Sequence, residues 1–112
     1  MLRLAIMILG ALLAPAAIAS DVPEPGSIPH SYYSCMLQQA SKYAKKSRET
    51  QDAIDGARAA CTAKRETMVK ALASELVLQM PQYMADQMAC EIADDWDTKF
   101  RPQYVRAVLD AR

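Results

Sequence analysis

A chain of 112 residues, 52% of them hydrophobic and 23% charged, has room for one small domain with a thin core. Its thirteen basic and thirteen acidic side chains cancel to a formal net charge of zero, a balance that argues against a sequence-independent nucleic-acid binder, which needs a basic surface to displace counterions. With three cysteines and a single histidine, metal, redox and nucleophilic chemistry are confined to very few positions.

The first element is expected to be a secretory signal peptide, residues 1–19. Arg3 supplies the positive charge, an apolar run extends from Leu4 to Ala14, and Ala17-Ile18-Ala19 offers small residues where a signal peptidase cuts. A membrane anchor is the weaker interpretation, because the run is about half of the ~20 residues that span a bilayer and Pro15 interrupts it. Cleavage after Ala19 leaves twelve basic and thirteen acidic groups, a net charge of −1, and no stable membrane span. The location is then periplasmic or secreted, and the cysteines enter an oxidising compartment where disulfides persist.

Residues 20–30, SDVPEPGSIPH, hold three prolines and a glycine and are expected to form an extended leader. From Ser31 to Met80 the only glycine is Gly56 and there is no proline, so a single helical domain is expected over 31–112. Helix one should run from about Ser31 to Lys46, with Tyr33, Met36, Ala40, Tyr43 and Ala44 on one face. Ser47 and Thr50 are candidate N-caps for a longer second helix reaching Met80, along which Ile54, Cys61, Met68 and Leu72 fall near one line. Pro81 should end it or kink it.

Helix three is expected over Gln82 to Phe100. At ~100° per residue, Met84, Ala85, Met88, Ala89, Ile92 and Trp96 form its packed side, and Tyr83, Gln87, Cys90, Asp94 and Asp97 lie opposite. Arg101-Pro102 should break the chain before a short final helix carrying Tyr104, Val105, Val108 and Leu109. The expected fold is all-α: a small bundle of about four helices, built on a disulfide-linked antiparallel hairpin.

That hairpin rests on cysteine spacing. Cys35 and Cys61 are each thirteen residues from residue 48, in the turn between helices one and two. At 1.5 Å per residue, an antiparallel pair brings them level, about 20 Å along each helix. Cys35–Cys61 is therefore the expected bridge. Cys90 is left over on an outward face, a thiol free to join another chain and link a homodimer.

Catalytic signals are few. His30, the only candidate imidazole base, lies in the leader, and the carboxylates Asp94, Asp95 and Asp97 have the look of a solvated helix surface. Zinc on His30, Cys35, Cys61 and Cys90 lacks a close-spaced ligand pair and competes with thiol oxidation. Met80, Met84 and Met88 recur every fourth residue and end near Cys90. Thioethers select Cu(I), but methionine also fills irregular cores, and the same side continues through Ile92 and Trp96.

Hence no enzyme and no cofactor is expected. The expected function is non-catalytic binding of another protein in the cell envelope, chaperone-like or inhibitor/immunity-like. The alternative is a periplasmic Cu(I) carrier using Met80, Met84 and Met88, with Cys90 as an added donor.

Overall fold

The computed structural model describes residues 22–112; the expected signal peptide lies outside these residues. They form four helices: α1 (His30–Ala44), α2 (Thr50–Ala60), α3 (Thr62–Leu76) and α4 (Gln82–Ala111). No strand occurs among the described residues. The all-α class holds, but the chain is divided differently from expectation.

Residues 24–29 fold into turns rather than an extended leader. The Ser27 amide donates to the Glu24 carbonyl at 3.0 Å, and the His30 amide to the Ser27 carbonyl at 3.1 Å. Gly26 takes φ +87°, a left-handed conformation open to glycine at no steric cost. The turns carry Ile28 onto the core, and His30, expected in the leader, becomes the first residue of α1.

Helix α1 buries Tyr33, Met36, Ala40 and Ala44 as its periodicity requires, with Tyr43 partly covered. Its C-terminal end is held from far along the chain. The Arg112 guanidinium donates to the carbonyls of Ser47 and Arg48, both at 3.0 Å, and places a positive charge where the α1 dipole is negative. Neither Ser47 nor Thr50 caps α2; Glu49 occupies that position without a side-chain cap.

The expected long second helix is two helices that meet at Cys61. There the Thr62 hydroxyl donates to the carbonyls of Ala59 (2.9 Å) and Arg58 (3.3 Å), a side-chain bond that competes with the backbone ladder and bends helices. Even so, Ile54, Cys61, Met68 and Leu72 are all buried, so the apolar line survives the bend.

Helix α4 is the opposite case, since Pro102 does not break it. Counting ~100° per residue, Pro102 falls on the same outward stripe as Met84, Met88, Glu91 and Asp95. Pro102 and Thr98, whose carbonyl loses its donor, are both exposed, so the unpaired carbonyl belongs to a solvent-facing residue and the helix continues.

Helix α4 thereby acts as a spine with two main partners, α1 and α3. Its second half packs on α1, with Tyr33 edge-on to Phe100 at 5.1 Å between centroids and Tyr104 beside it at 6.3 Å. Its first half buries Ala85, Ala89 and Ala93 against α3, which supplies Met68, Leu72 and Ala73. On the α4 side small residues, not methionines, line this seam, because they let the two backbones approach closely. Met84 and Met88, expected inside, are consequently turned outward.

Candidate functional site

All four helices meet around one carboxylate. Asp97, expected on the solvent face, is only 8% exposed. The Tyr32 hydroxyl of α1 donates to both its oxygens, at 2.8 and 3.0 Å, and the Tyr104 hydroxyl of α4 donates to Oδ1 at 3.2 Å. Arg58 of α2 and Arg65 of α3 bring their Nε atoms to 3.6 and 3.9 Å from Oδ2. Arg65 also bonds Asp94 at the surface.

The electrostatics follow from the burial. Both tyrosine hydroxyls are pushed far above the ordinary tyrosine range, first by desolvation and then by the adjacent Asp97 carboxylate, which disfavours a second negative charge. Tyr33 is also raised by burial. Desolvation works against the Arg58 cation, but the attraction of Asp97, Tyr32 and Asp55 outweighs it and holds Arg58 above its usual value. Asp97 therefore accepts from two buried hydroxyls and faces two guanidinium groups. It joins helices: both tyrosines are wholly buried against it, and its remaining exposure, 10% of the side chain, lies on the side of the two arginines.

Sequence reasoning misses this centre for a physical reason. Asp97, Phe100, Tyr104 and Val108 form one buried row only if the helix passes through Pro102. A break at 101–102 cuts that row, leaving Asp97 among apparent surface acids.

The cysteines pair as the spacing predicts. Cys35, in the second turn of α1, is bonded to Cys61 at the α2–α3 bend, with Cα atoms 6.0 Å apart. Both thiols are consumed, so the zinc set of His30, Cys35, Cys61 and Cys90 is not available in this oxidation state. Cys90 is free and exposed, and it shares a shallow depression with Arg65, Glu66, Val69 and Lys70. Two cations thus lie near a thiol whose sequence neighbours include none.

The other feature is the far end of the α3–α4 arm. Leu78 and Tyr83 are 83% and 71% exposed, with Val77, Met84 and Met88 also open to solvent. Met84 and Met88 line an open depression with Gln87 and Glu91, whereas Met80 sits in the connection before Pro81. The helix thus brings two of the three methionines side by side.

Among the described residues, no helix is long and apolar enough to cross a membrane. The fold and site define a small all-helical, disulfide-linked protein with an apolar arm tip. No protein-family model matches the chain, and no curated protein or solved structure matches it either.

Proposed function

We propose that this is an exported, non-catalytic protein-binding module of the cell envelope. Residues 1–19 act as a cleaved signal peptide, and the Cys35–Cys61 bridge staples an antiparallel α1–α2 hairpin in the oxidising compartment. One observation carries the binding role: a stapled body leaves Val77, Leu78, Tyr83, Met84 and Met88 exposed towards one end. Exposed apolar residues clustered on one site mark interaction surfaces, and methionine adapts to varied partners.

The test is site-specific photo-crosslinking in the envelope of an expressing bacterium. A crosslinker at Leu78 should capture a protein partner that one at Lys64, on the outer face of α3, does not. Equal capture at both sites, or none, defeats the proposal. Apolar-dye binding then separates its two forms: a rise from neutral to mildly acidic pH marks a chaperone, and a flat response together with one tightly retained partner marks an inhibitor or immunity protein. Intact mass without reductant reports signal cleavage, the bridge, and any Cys90-linked homodimer in the same sample.

The adjacent exposed thioethers of Met84 and Met88 favour one second reading, Cu(I) carriage with Met80 and Cys90. Replacing the three methionines with leucine would abolish Cu(I) uptake under reducing conditions and spare folding. Wild-type protein that takes up no Cu(I) ends this alternative.

A further inference from the structure

Charge is distributed very unevenly along this fold. From Ala71 through Thr98 there are six carboxylates and no basic side chain, and all twelve basic side chains of the described residues lie outside that stretch. Asp97 and Asp94 are matched internally, through Arg58 and Arg65. Glu75, Asp86, Glu91 and Asp95 are exposed and have no cationic partner among the described residues. Asp86 and Glu91 accept hydrogen bonds from Gln82 and Gln87, which hold the carboxylates without neutralising them.

Two of these acids lie on the outward stripe that leads away from the apolar tip. Glu91 lines the same depression as Met84 and Met88, and Asp95 follows one helical turn later on that outward stripe. The combination is an adaptable apolar centre with an uncompensated negative rim. We infer that the arm tip binds a cationic amphipathic helical segment of another protein, with its apolar face on Tyr83, Met84 and Met88 and its Lys or Arg side chains against Glu91 and Asp95. This inference rests on the protein-binding reading above and specifies the chemistry of the partner.

Other occupants fit less well. A second copy of this chain would have to present its own basic end, Lys42, Lys45, Lys46 and Arg48, where Leu109 is the one exposed large hydrophobic side chain beside it, against five at the tip. An anionic membrane surface would be repelled by the rim. A helix laid along the arm, anchored at positions spaced three and four apart, matches both the stripe and its charge.

The test uses the exported protein, purified after expression of the full chain, with two synthetic probes: an 18-residue amphipathic Leu/Lys helix and the same peptide with Glu replacing Lys. The Lys peptide should bind, and its affinity should fall about tenfold on raising salt from about 50 to 500 mM. The charge reversal E91K/D95K and the separate change L78S/Y83S should each weaken it about tenfold. All four positions are exposed, and unchanged circular dichroism would verify the fold.

Equal affinity for the Lys and Glu peptides overturns the inference. So does Lys-peptide binding that neither double variant weakens. Self-association abolished by E91K/D95K would assign the tip to a second copy and overturn it as well. If neither peptide binds while the Leu78 crosslinker still captures an envelope protein, the partner chemistry is wrong and the protein-binding role stands. If both fail, the role falls with it.

Discussion

Replacing Asp97 with alanine tests whether its carboxylate ties the four helices together. The change removes the acceptor for the Tyr32 and Tyr104 hydroxyls, both in wholly buried side chains, and strands two donors away from water. Each unsatisfied buried donor costs about 1–3 kcal/mol. The Arg58 and Arg65 side chains are 40% and 26% exposed, so they can turn to solvent and add less. An overall loss of about 3–5 kcal/mol is expected, a large share of the roughly 5–15 kcal/mol that stabilises a small domain. Urea unfolding followed by circular dichroism measures it. In a double-mutant cycle with Tyr32→Phe, the losses should be less than additive by more than about 0.5 kcal/mol, because the phenylalanine ring has no hydroxyl to strand. A loss below about 1 kcal/mol for D97A, or strict additivity, would refute the buried network.

Three further outcomes follow from the same geometry. Tyr32 and Tyr104 titrate higher in the folded chain than in the unfolded one, so their stabilising effect is complete below about pH 10. Above that the unfolded chain releases protons that the folded chain keeps, and stability should fall by about 1.4 kcal/mol per pH unit for each tyrosine. Urea midpoints between about pH 9 and 11.5 measure this, and a slope that Tyr104→Phe leaves unchanged would count against it. Removing the bridge with C35S/C61S, which frees a sequence separation of 26, should cost about 3 kcal/mol by the same assay; an unmoved midpoint contradicts that. Gly56→Ala would place a Cβ 2.9 Å from Cδ1 of Tyr43, so the ~1 kcal/mol that alanine normally brings to a helix should not appear until Tyr43 is cut back to alanine. A full gain from G56A alone would mean that α1 and α2 are not in close contact there.

How far the sequence disclosed this fold depended on which face of each helix carried the signal. The α1 face was plain, because Tyr33, Met36, Ala40 and Ala44 recur at helical spacing and all become buried. The Cys35–Cys61 pairing was equally accessible, as the two positions are symmetric about one turn. Side-chain size misled the assignment of α4. Alanine carries little hydrophobic weight, yet Ala85, Ala89 and Ala93 form the seam, and the bulkier Met84 and Met88 are left outside. Local rules also misplaced the helix boundaries. Pro102 is a strong breaker in isolation, but its position on the wet face makes it tolerable. The bend at Cys61, in turn, has no glycine or proline to announce it. Asp97 could not be located without α1, since its main donor, Tyr32, is 65 residues away.

That separation has a kinetic corollary. The contacts that enclose the core are long in sequence: Tyr32 to Asp97, Tyr33 to Phe100, and Ala44, Ser47 and Arg48 to Arg112. Closing such loops costs entropy before any contact rewards it, so pairing of α1 with α2 is favoured early and docking of the second half of α4 late. If the chain is exported, as proposed above, and crosses unfolded, late docking delays compaction during translocation. It also keeps Cys35 and Cys61 accessible to oxidising partners until the spine closes over them.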